Sequence, residues 1–232
     1  MRRYVVEFIG TFFLVFTIGT TVLGGVALAP LAIGAALMVM VYAGGHISGA
    51  HYNPAVTTAV TLRGRLATAD VAPYVGAQLL GALLAGGAAR WVENAHDVQA
   101  TDYSGRGIGV ALVAEFIFTF ALAWVVLNVA TSKDHPDNSF YGLAIGFTVL
   151  AGAFAVGPVS SGAFNPAVAL GLCVMGLLSW GSLWIYVVAN LAGAALAAYA
   201  FRFVSPDDLE PSVVAPRTPE ETTGEGERSA TR

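Results

Sequence analysis

One tripeptide occurs twice in the sequence, and its residue types suit the start of a helix. The two copies are Asn53-Pro54-Ala55 and Asn165-Pro166-Ala167. Asparagine can cap a helix, and proline at the first helical position loses no hydrogen bond. The apolar runs that follow, 56–62 and 168–178, are too short for a bilayer, which takes about 20 residues. Two short helices at matching places in two halves of an apolar chain indicate a site at the membrane midplane.

The composition places the chain in a membrane. Of its 232 residues, 56% are hydrophobic and only 11% are charged, as is typical of a polytopic membrane protein. The net charge of −4 resides in residues 205–232, which are acidic and rich in Pro, Glu, Thr and Gly. We predict that this segment is a disordered cytoplasmic tail following one domain, 1–204. The single cysteine, Cys173, excludes an intrachain disulfide.

Six apolar segments are long enough to cross a bilayer, and they form two related halves. They cover approximately 4–22, 27–43, 71–89, 108–130, 140–156 and 180–203. The two tripeptides, at 53 and 165, are 112 residues apart, and residues 74–82 return at the same spacing as 186–194. Each half, about 1–90 and 108–204, has three spans, so the second enters the membrane from the other side. The predicted fold is all-α, with six transmembrane helices and two re-entrant half-helices in an inverted repeat.

Basic residues predict the orientation of the chain. With the N-terminus inside, the cytoplasmic positions hold most of the bases of the membrane domain, and only Arg90 and Arg106 lie outside. Both termini are then cytoplasmic, and we expect a multi-pass protein of the plasma membrane. The predicted cytoplasmic bases are Arg2, Arg3, Arg63, Arg65, Lys133 and Arg202.

The loops that precede the two short helices are predicted to line a pore. Non-helical backbone at membrane depth persists only where protein buries it or water contacts it. The Asn53 and Asn165 amides can donate to a permeant, and loop carbonyls can accept from it. Both half-helices direct a partly positive N-terminus at the same place, which disfavours cations but not neutral molecules. The carbonyls expected to face the pore belong to Gly49, Ala50, His51, Tyr52, Ser161, Gly162 and Ala163.

Over residues 4–204 the chain resembles the aquaporin and glycerol-facilitator family of channels. The resemblance rests on Glu7 with Gly10-Thr11-Phe12, the string 45–57, Gln78, Glu115 and the second tripeptide. It implies a homotetramer with one pore per subunit that passes water or small uncharged solutes across the lipid bilayer. It also implies that Glu7 and Glu115 accept hydrogen bonds from the pore loops. Exclusion of ions by half-helix dipoles is an already known property of such pores.

The sequence departs from the family pattern at residue 168. Family members usually have arginine directly after the second Asn-Pro-Ala, whereas this chain has Val168. By spacing, the outer selectivity constriction comprises Ile33, Ala153, Gly162 and Val168, which are all apolar or very small. We therefore expect a wide constriction that is short of hydrogen-bond donors. In an alternative geometry, the loop 90–107 folds inward and Arg106 supplies the missing guanidinium.

Two other function classes stay open at this point. Glu7 and Glu115 are intramembrane acids, which are usually functional, so a proton-coupled secondary transporter is one alternative. A structural, non-conducting membrane protein with an occluded pore is the other. His46 and His51 lie five residues apart without a cysteine or clustered carboxylates, a pattern that does not predict a metal site. Because the sequence has no nucleotide loop or nucleophile arrangement, we predict no enzyme activity, no cofactor and no nucleic-acid partner.

Overall fold

The fold is helical throughout the part of the chain that the structure, a computed structural model, describes, which is residues 1–209. Two 3-10 segments, Trp180–Ser182 and Pro206–Leu209, flank the last helix. The α-helices are α1 (Arg2–Leu23), α2 (Ala29–Ser48), α3 (Pro54–Leu62), α4 (Thr68–Val92), α5 (Arg106–Thr131), α6 (Tyr141–Ser160), α7 (Pro166–Met175) and α8 (Leu183–Val204).

Six of these helices are long and apolar enough to cross a membrane. They are α1, α2, α4, α5, α6 and α8 with its preceding 3-10 turn. The other two, α3 and α7, have 9 and 10 residues and begin at the prolines of the two tripeptides. Large apolar side chains such as Leu84, Val113 and Phe147 are exposed on the outside of the bundle, which suits contact with lipid. The prediction of six spans and two half-helices is confirmed.

Three helix ends differ from the sequence prediction. Helix α2 continues to Ser48 and α6 to Ser160, although the sequence predicts loops from 44 and 157. Glycine and proline in these stretches have low helix propensity and so suggest a loop. Tertiary packing overrides this propensity, since Gly44 lies in α2 against the ring of Tyr52. Helix α7 ends at Met175, short of the predicted 178, because Gly176 caps it in the left-handed conformation (φ 81°).

The two halves of the chain contact each other where α2 crosses α6. A Cβ added at Gly34 would lie 2.8 Å from the Gly146 carbonyl oxygen. These glycines are separated by the 112-residue spacing of the repeat. Only glycine permits such close backbone approach. Around this crossing, α1 packs on α4 and α5 packs on α8, and each half-helix contacts helices of both halves.

The two ends of the bundle are defined by the loops between helices. The N-terminal face contains residues 1–3, 63–67, 132–140 and 205–209. The opposite face contains residues 24–28, 93–105 and 176–182. Helices α3 and α7 enter from different faces, so the two tripeptides meet inside the bundle.

The first residues of the predicted disordered tail are ordered. Asp208 is buried, with its Oδ1 atom 3.5 Å from Arg63 Nη2, and both side chains are 3% exposed. It also accepts hydrogen bonds from Ser132 Oγ (2.8 Å) and Lys133 N (2.7 Å). Burial alone would raise the pKa of Asp208, but these hydrogen bonds and the Arg63 charge hold it below its usual range. The polar, acidic composition of the tail predicts disorder. Composition does not reveal that Asp208 has partners in distant parts of the chain, and these partners hold it in place. Residues 210–232 lie outside the described part.

We expect Asp208→Ala to destabilise the bundle at its N-terminal face. The substitution leaves the Arg63 guanidinium buried without its carboxylate, which costs about 3 kcal/mol in comparable pairs. The measurement is the thermal unfolding midpoint of the purified protein in detergent. Asp207→Ala is the matched control, because Asp207 is exposed and its carbonyl oxygen, which the substitution keeps, accepts from Lys133 Nζ (3.0 Å). Equal midpoints for the two variants would contradict the importance of the pair.

Candidate pore and its two asparagine motifs

The two pore loops, 49–52 and 161–164, have the same unusual backbone conformation. Corresponding residues 112 positions apart adopt positive φ angles, although most are not glycine. A non-glycine residue in this region costs about 1–3 kcal/mol, so surrounding contacts must hold it there. The pairs are Gly49 (87°) with Ser161 (65°), Ala50 (51°) with Gly162 (59°), and Tyr52 (49°) with Phe164 (50°).

Glu7 holds the first pore loop from α1. Its Oε1 atom accepts from Ser48 Oγ (2.7 Å) and from His51 N (3.0 Å). Its Oε2 atom accepts from Tyr52 N (2.7 Å) and from Gln78 Nε2 (2.8 Å). The carboxylate is fully buried, so these donors take the place of water.

Glu115 makes the equivalent contacts from α5 to the second pore loop. Its Oε1 atom accepts from Ser160 Oγ (2.8 Å) and Ala163 N (3.0 Å), and its Oε2 atom from Phe164 N (2.7 Å). With its amide nitrogen facing the acceptors, Asn190 donates to Glu115 Oε2 (3.2 Å). Four donors thus occupy the acceptor positions of each carboxylate, an arrangement that favours a bracing role over proton transfer.

The asparagines of the two tripeptides link the pore loops to each other. Asn53 Oδ1 accepts from Ala55 N (2.8 Å) and so caps α3, while its Nδ2 atom donates to the Phe164 carbonyl (2.9 Å). Asn165 Oδ1 caps α7 through Ala167 N (2.9 Å), and its Nδ2 atom donates to the Tyr52 carbonyl (2.8 Å). Each amide nitrogen carries two hydrogens, so one remains available on each side chain.

The loop carbonyls differ in how much of their acceptor capacity is free. The Tyr52 carbonyl already accepts from Asn165. Within residues 1–209, no hydrogen bond is made to the remaining six carbonyls that the sequence places at the pore. Those six belong to Gly49, Ala50, His51, Ser161, Gly162 and Ala163.

Two cavities enter the bundle from its two faces. The first, of about 460 Å³, opens at the opposite face and is lined by Asn53 and Asn165 at its inner end. The second, of about 470 Å³, opens at the N-terminal face, and His51 and Val126 line both cavities. The first cavity is lined mainly by aliphatic side chains, which include Leu14, Ile18, Val22, Leu37, Val149 and Leu172.

The four residues that the sequence places at the outer constriction all line the first cavity. Val168 is 3% exposed and lies on the first turn of α7, where its backbone N–H contacts Asn165 Oδ1 (3.4 Å). The other three are Ile33, Ala153 and Gly162. None of the four side chains carries a hydrogen-bond donor.

Arg106 does not take the place of the missing arginine. It is the first residue of α5, is exposed, and lines neither of the two cavities. The loop 93–105 does fold inward, but it brings Thr101 to the cavity instead. No local pattern in the sequence distinguishes Thr101 from other loop residues, so the sequence does not predict its place at the cavity.

Two tyrosines that belong to no predicted site fix the helix ends before the pore loops. Tyr74 donates to the Ser48 carbonyl (2.8 Å), and Tyr186 donates to the Ser160 carbonyl (2.7 Å). Both are fully buried. The repeat carries a signal for them, because they correspond at the 112-residue spacing.

Comparison with known proteins gives the family. Residues 1–201 match the family described as major intrinsic protein. The chain belongs to the major intrinsic protein family. It is 39% identical over 217 residues to Glycerol uptake facilitator protein-like 6 of Lactiplantibacillus plantarum, covering 90% of this chain and 100% of that protein. It is also similar to plant members. Identity to Aquaporin NIP1-1 of Oryza sativa subsp. japonica is 38%, covering 88% of this chain and 74% of that protein. Identity to Nodulin-26 of Glycine max is 37%, covering 88% of this chain and 78% of that protein.

A solved structure shares the major intrinsic protein fold. The aquaglyceroporin from Plasmodium falciparum superposes with a TM-score of 0.75 at 21% identity, covering 89% of this chain and 98% of that one. This likeness supports the fold alone. Together with the six apolar helices, family membership makes the chain an integral multi-pass membrane protein. Members of the major intrinsic protein family are channels for water or small solutes.

Proposed function

We propose that the chain is a passive channel for water and small uncharged solutes of about glycerol size. The observation that carries the proposal is the pair of cavities that enter from both faces and share His51 near the two asparagine motifs. The amides of Asn53 and Asn165 lie at the inner end of the first cavity, where they can donate to a permeant. Similarity to a protein named as a glycerol uptake facilitator is consistent with a permeant larger than water.

The outer constriction supports a permeant wider than water. Val168 is short and apolar, whereas family members usually have a long, charged arginine at this position. Ile33, Ala153 and Gly162 line the same cavity and add no hydrogen-bond donor. At this point, only backbone carbonyls and side chains of the loop 93–105 can replace the hydration of a polar solute. We therefore propose weak discrimination by size, with flux that favours the less polar of two solutes of equal width.

The alternatives have less support from the geometry. A proton-coupled transporter needs Glu7 or Glu115 to exchange protons with the pore, yet four donors surround each carboxylate. A non-conducting protein needs an occluded pore, whereas cavities enter this bundle from both faces.

The proposed orientation and assembly follow the charges and the family. Six spans place both termini on one side, and the N-terminal face carries most of the basic residues of the membrane domain. We assign this face to the cytoplasm and the protein to the plasma membrane. We also propose a homotetramer with one pore per subunit, as the family resemblance implies.

Permeability of proteoliposomes tests the proposed function directly. Stopped-flow light scattering should show faster entry of water, glycerol, urea and hydrogen peroxide than into empty liposomes. Solute flux should rise linearly with the gradient and should not change when an uncoupler is added. Rates equal to those of empty liposomes, with insertion verified, would refute a channel, and flux abolished by the uncoupler would indicate proton coupling instead.

We predict that charge at the asparagine motifs controls cation exclusion. In Asn53→Asp and Asn165→Asp, a carboxylate still caps the half-helix, but its negative charge offsets the positive helix N-termini. Sodium or proton leak through proteoliposomes should therefore rise in both variants. Asn94→Asp is the control, since it adds the same charge at an exposed loop position away from the cavities. An equal leak in all three variants would rule out this electrostatic role.

A further inference from the structure

The loop 93–105 is fastened across the mouth of the first cavity. Thr101 N donates to the Leu177 carbonyl (2.9 Å), and Ser179 N donates to the Thr101 carbonyl (2.9 Å). These bonds form an isolated parallel bridge between Thr101 and Leu178. The backbone of Thr101 is thereby attached to the segment that follows α7, the half-helix that carries Val168.

Residues next to Thr101 attach the same loop to the outer constriction. Tyr103 N donates to Ser182 Oγ (3.1 Å), and Ser182 Oγ donates to Asp102 Oδ1 (3.0 Å). The Tyr103 hydroxyl pairs with Ser161 Oγ (3.3 Å), directly before Gly162 in the chain. Hydrogen bonds to the segment that follows α7 and to Ser161 therefore set the position of Thr101.

The Thr101 hydroxyl adds a polar side-chain group to a cavity that is lined mainly by aliphatic side chains. Thr101 lines the first cavity and is exposed. Among residues 1–209, its hydroxyl makes no hydrogen bond, although its backbone N–H and carbonyl both do. Two other hydroxyl-bearing residues line this cavity, and both hydroxyls are engaged: Ser161 pairs with Tyr103, and Tyr52 donates to the Met40 carbonyl. Asn53 and Asn165 lie deeper, beyond the constriction.

We propose that Thr101 is a specificity-determining residue of the channel, whose hydroxyl binds the hydroxyl or amide group of a small polar solute entering the outer constriction. This inference rests on the proposed function. The hydroxyl both donates and accepts, so it can replace part of the hydration that a polyol loses before it passes Ile33 and Val168. It takes over, as a neutral group, the polar contact that Val168 cannot make.

The test compares Thr101→Val with Thr101→Ser. Valine keeps the shape of threonine without its hydroxyl, whereas serine keeps the hydroxyl. The probes are glycerol and propane-1,2-diol, which differ by one hydroxyl, with water flux as the internal standard. Loss of one hydrogen bond should lower the glycerol-to-propanediol permeability ratio about three- to tenfold in Thr101→Val. Thr101→Ser should keep the wild-type ratio.

Each other outcome overturns the inference. An unchanged ratio in Thr101→Val, with water flux intact, shows that the hydroxyl is not used while the channel function stands. The same loss in Thr101→Ser shows that the methyl group or the loop packing matters and not the hydroxyl. Wild-type liposomes that admit neither solute nor water contradict the proposed function as well as this inference.

A second variant keeps the test decisive if Thr101→Val does not fold. Thr101→Cys, treated with a small charged thiol reagent, should lose solute flux, because the attached group would lie in the pathway. Wild type is the control, since its only cysteine, Cys173, is buried. Reaction at the introduced cysteine with no change in flux would show that Thr101 does not border the pathway.

Discussion

Val168→Arg should lower glycerol permeability about tenfold or more while water permeability changes far less. A tenfold fall corresponds to about 1.4 kcal/mol in the barrier. Arginine adds bulk, a planar set of donors and a fixed positive charge at a position where the native side chain has none of these. The side chain would extend into the first cavity, which Val168 lines together with Ile33 and Ala153. The measurement is the glycerol-to-water permeability ratio by stopped-flow light scattering.

Val168→Leu separates the contribution of bulk from that of charge and donors. Leucine adds volume but no polar group, so it should lower the ratio less than arginine does. A wild type that already excludes glycerol, or a ratio that Val168→Arg leaves unchanged, would show that the outer constriction is not where size is selected.

Glu115→Ala should abolish flux of both water and solutes and lower the stability of the protein. The substitution leaves Ala163 N and Phe164 N buried without an acceptor, and leaves Ser160 Oγ with only the Val156 carbonyl (3.3 Å). Each unsatisfied buried donor costs about 1–3 kcal/mol, and the second pore loop already holds non-glycine residues at positive φ. The measurements are the thermal unfolding midpoint in detergent and permeability in proteoliposomes. Glu7→Ala, the corresponding change in the first half, should behave alike.

Glu115→Gln distinguishes a bracing role from proton transfer. Glutamine keeps one acceptor oxygen and has nearly the same shape, so stability and flux should fall only in part. A proton carrier predicts a different result, in which Glu115→Gln stays fully stable and loses only proton-dependent flux. That result would favour the secondary transporter over the channel.

The sequence predicts the arrangement of helices because its signals are local. Six apolar stretches, two Asn-Pro starts and a constant spacing of 112 residues suffice for six spans and two half-helices. Helix ends at Ser48 and Ser160 are missed, since glycine and proline nearby suggest loops while tertiary packing keeps the chain helical. Family resemblance, and not spacing, assigns the loop-bracing role to Glu7 and Glu115.

Contacts between distant parts of the chain are what the sequence leaves out. The bonds from Asn53 to the Phe164 carbonyl and from Asn165 to the Tyr52 carbonyl join the two halves, and no periodicity reports them. The acidic composition of residues 205–232 predicts disorder for Asp208. Asp208 is instead buried against Arg63, a distant partner that composition does not reveal. Thr101 is held at the cavity by its own backbone bonds to Leu177 and Ser179 and by side-chain bonds of its loop neighbours, and no local motif encodes these contacts.

Occlusion of the pore from inside tests whether permeants pass through the two cavities. Ala153→Trp would place a large side chain at the outer constriction, which Ala153 lines. Leu143→Trp is the matched control on the same helix, because Leu143 is 44% exposed and lines neither cavity. In proteoliposomes with equal amounts of inserted protein, Ala153→Trp should reduce water and glycerol permeability to the level of empty liposomes, and Leu143→Trp should match wild type. Wild-type permeability in Ala153→Trp would contradict the account, because the flux would then take a route other than this pore.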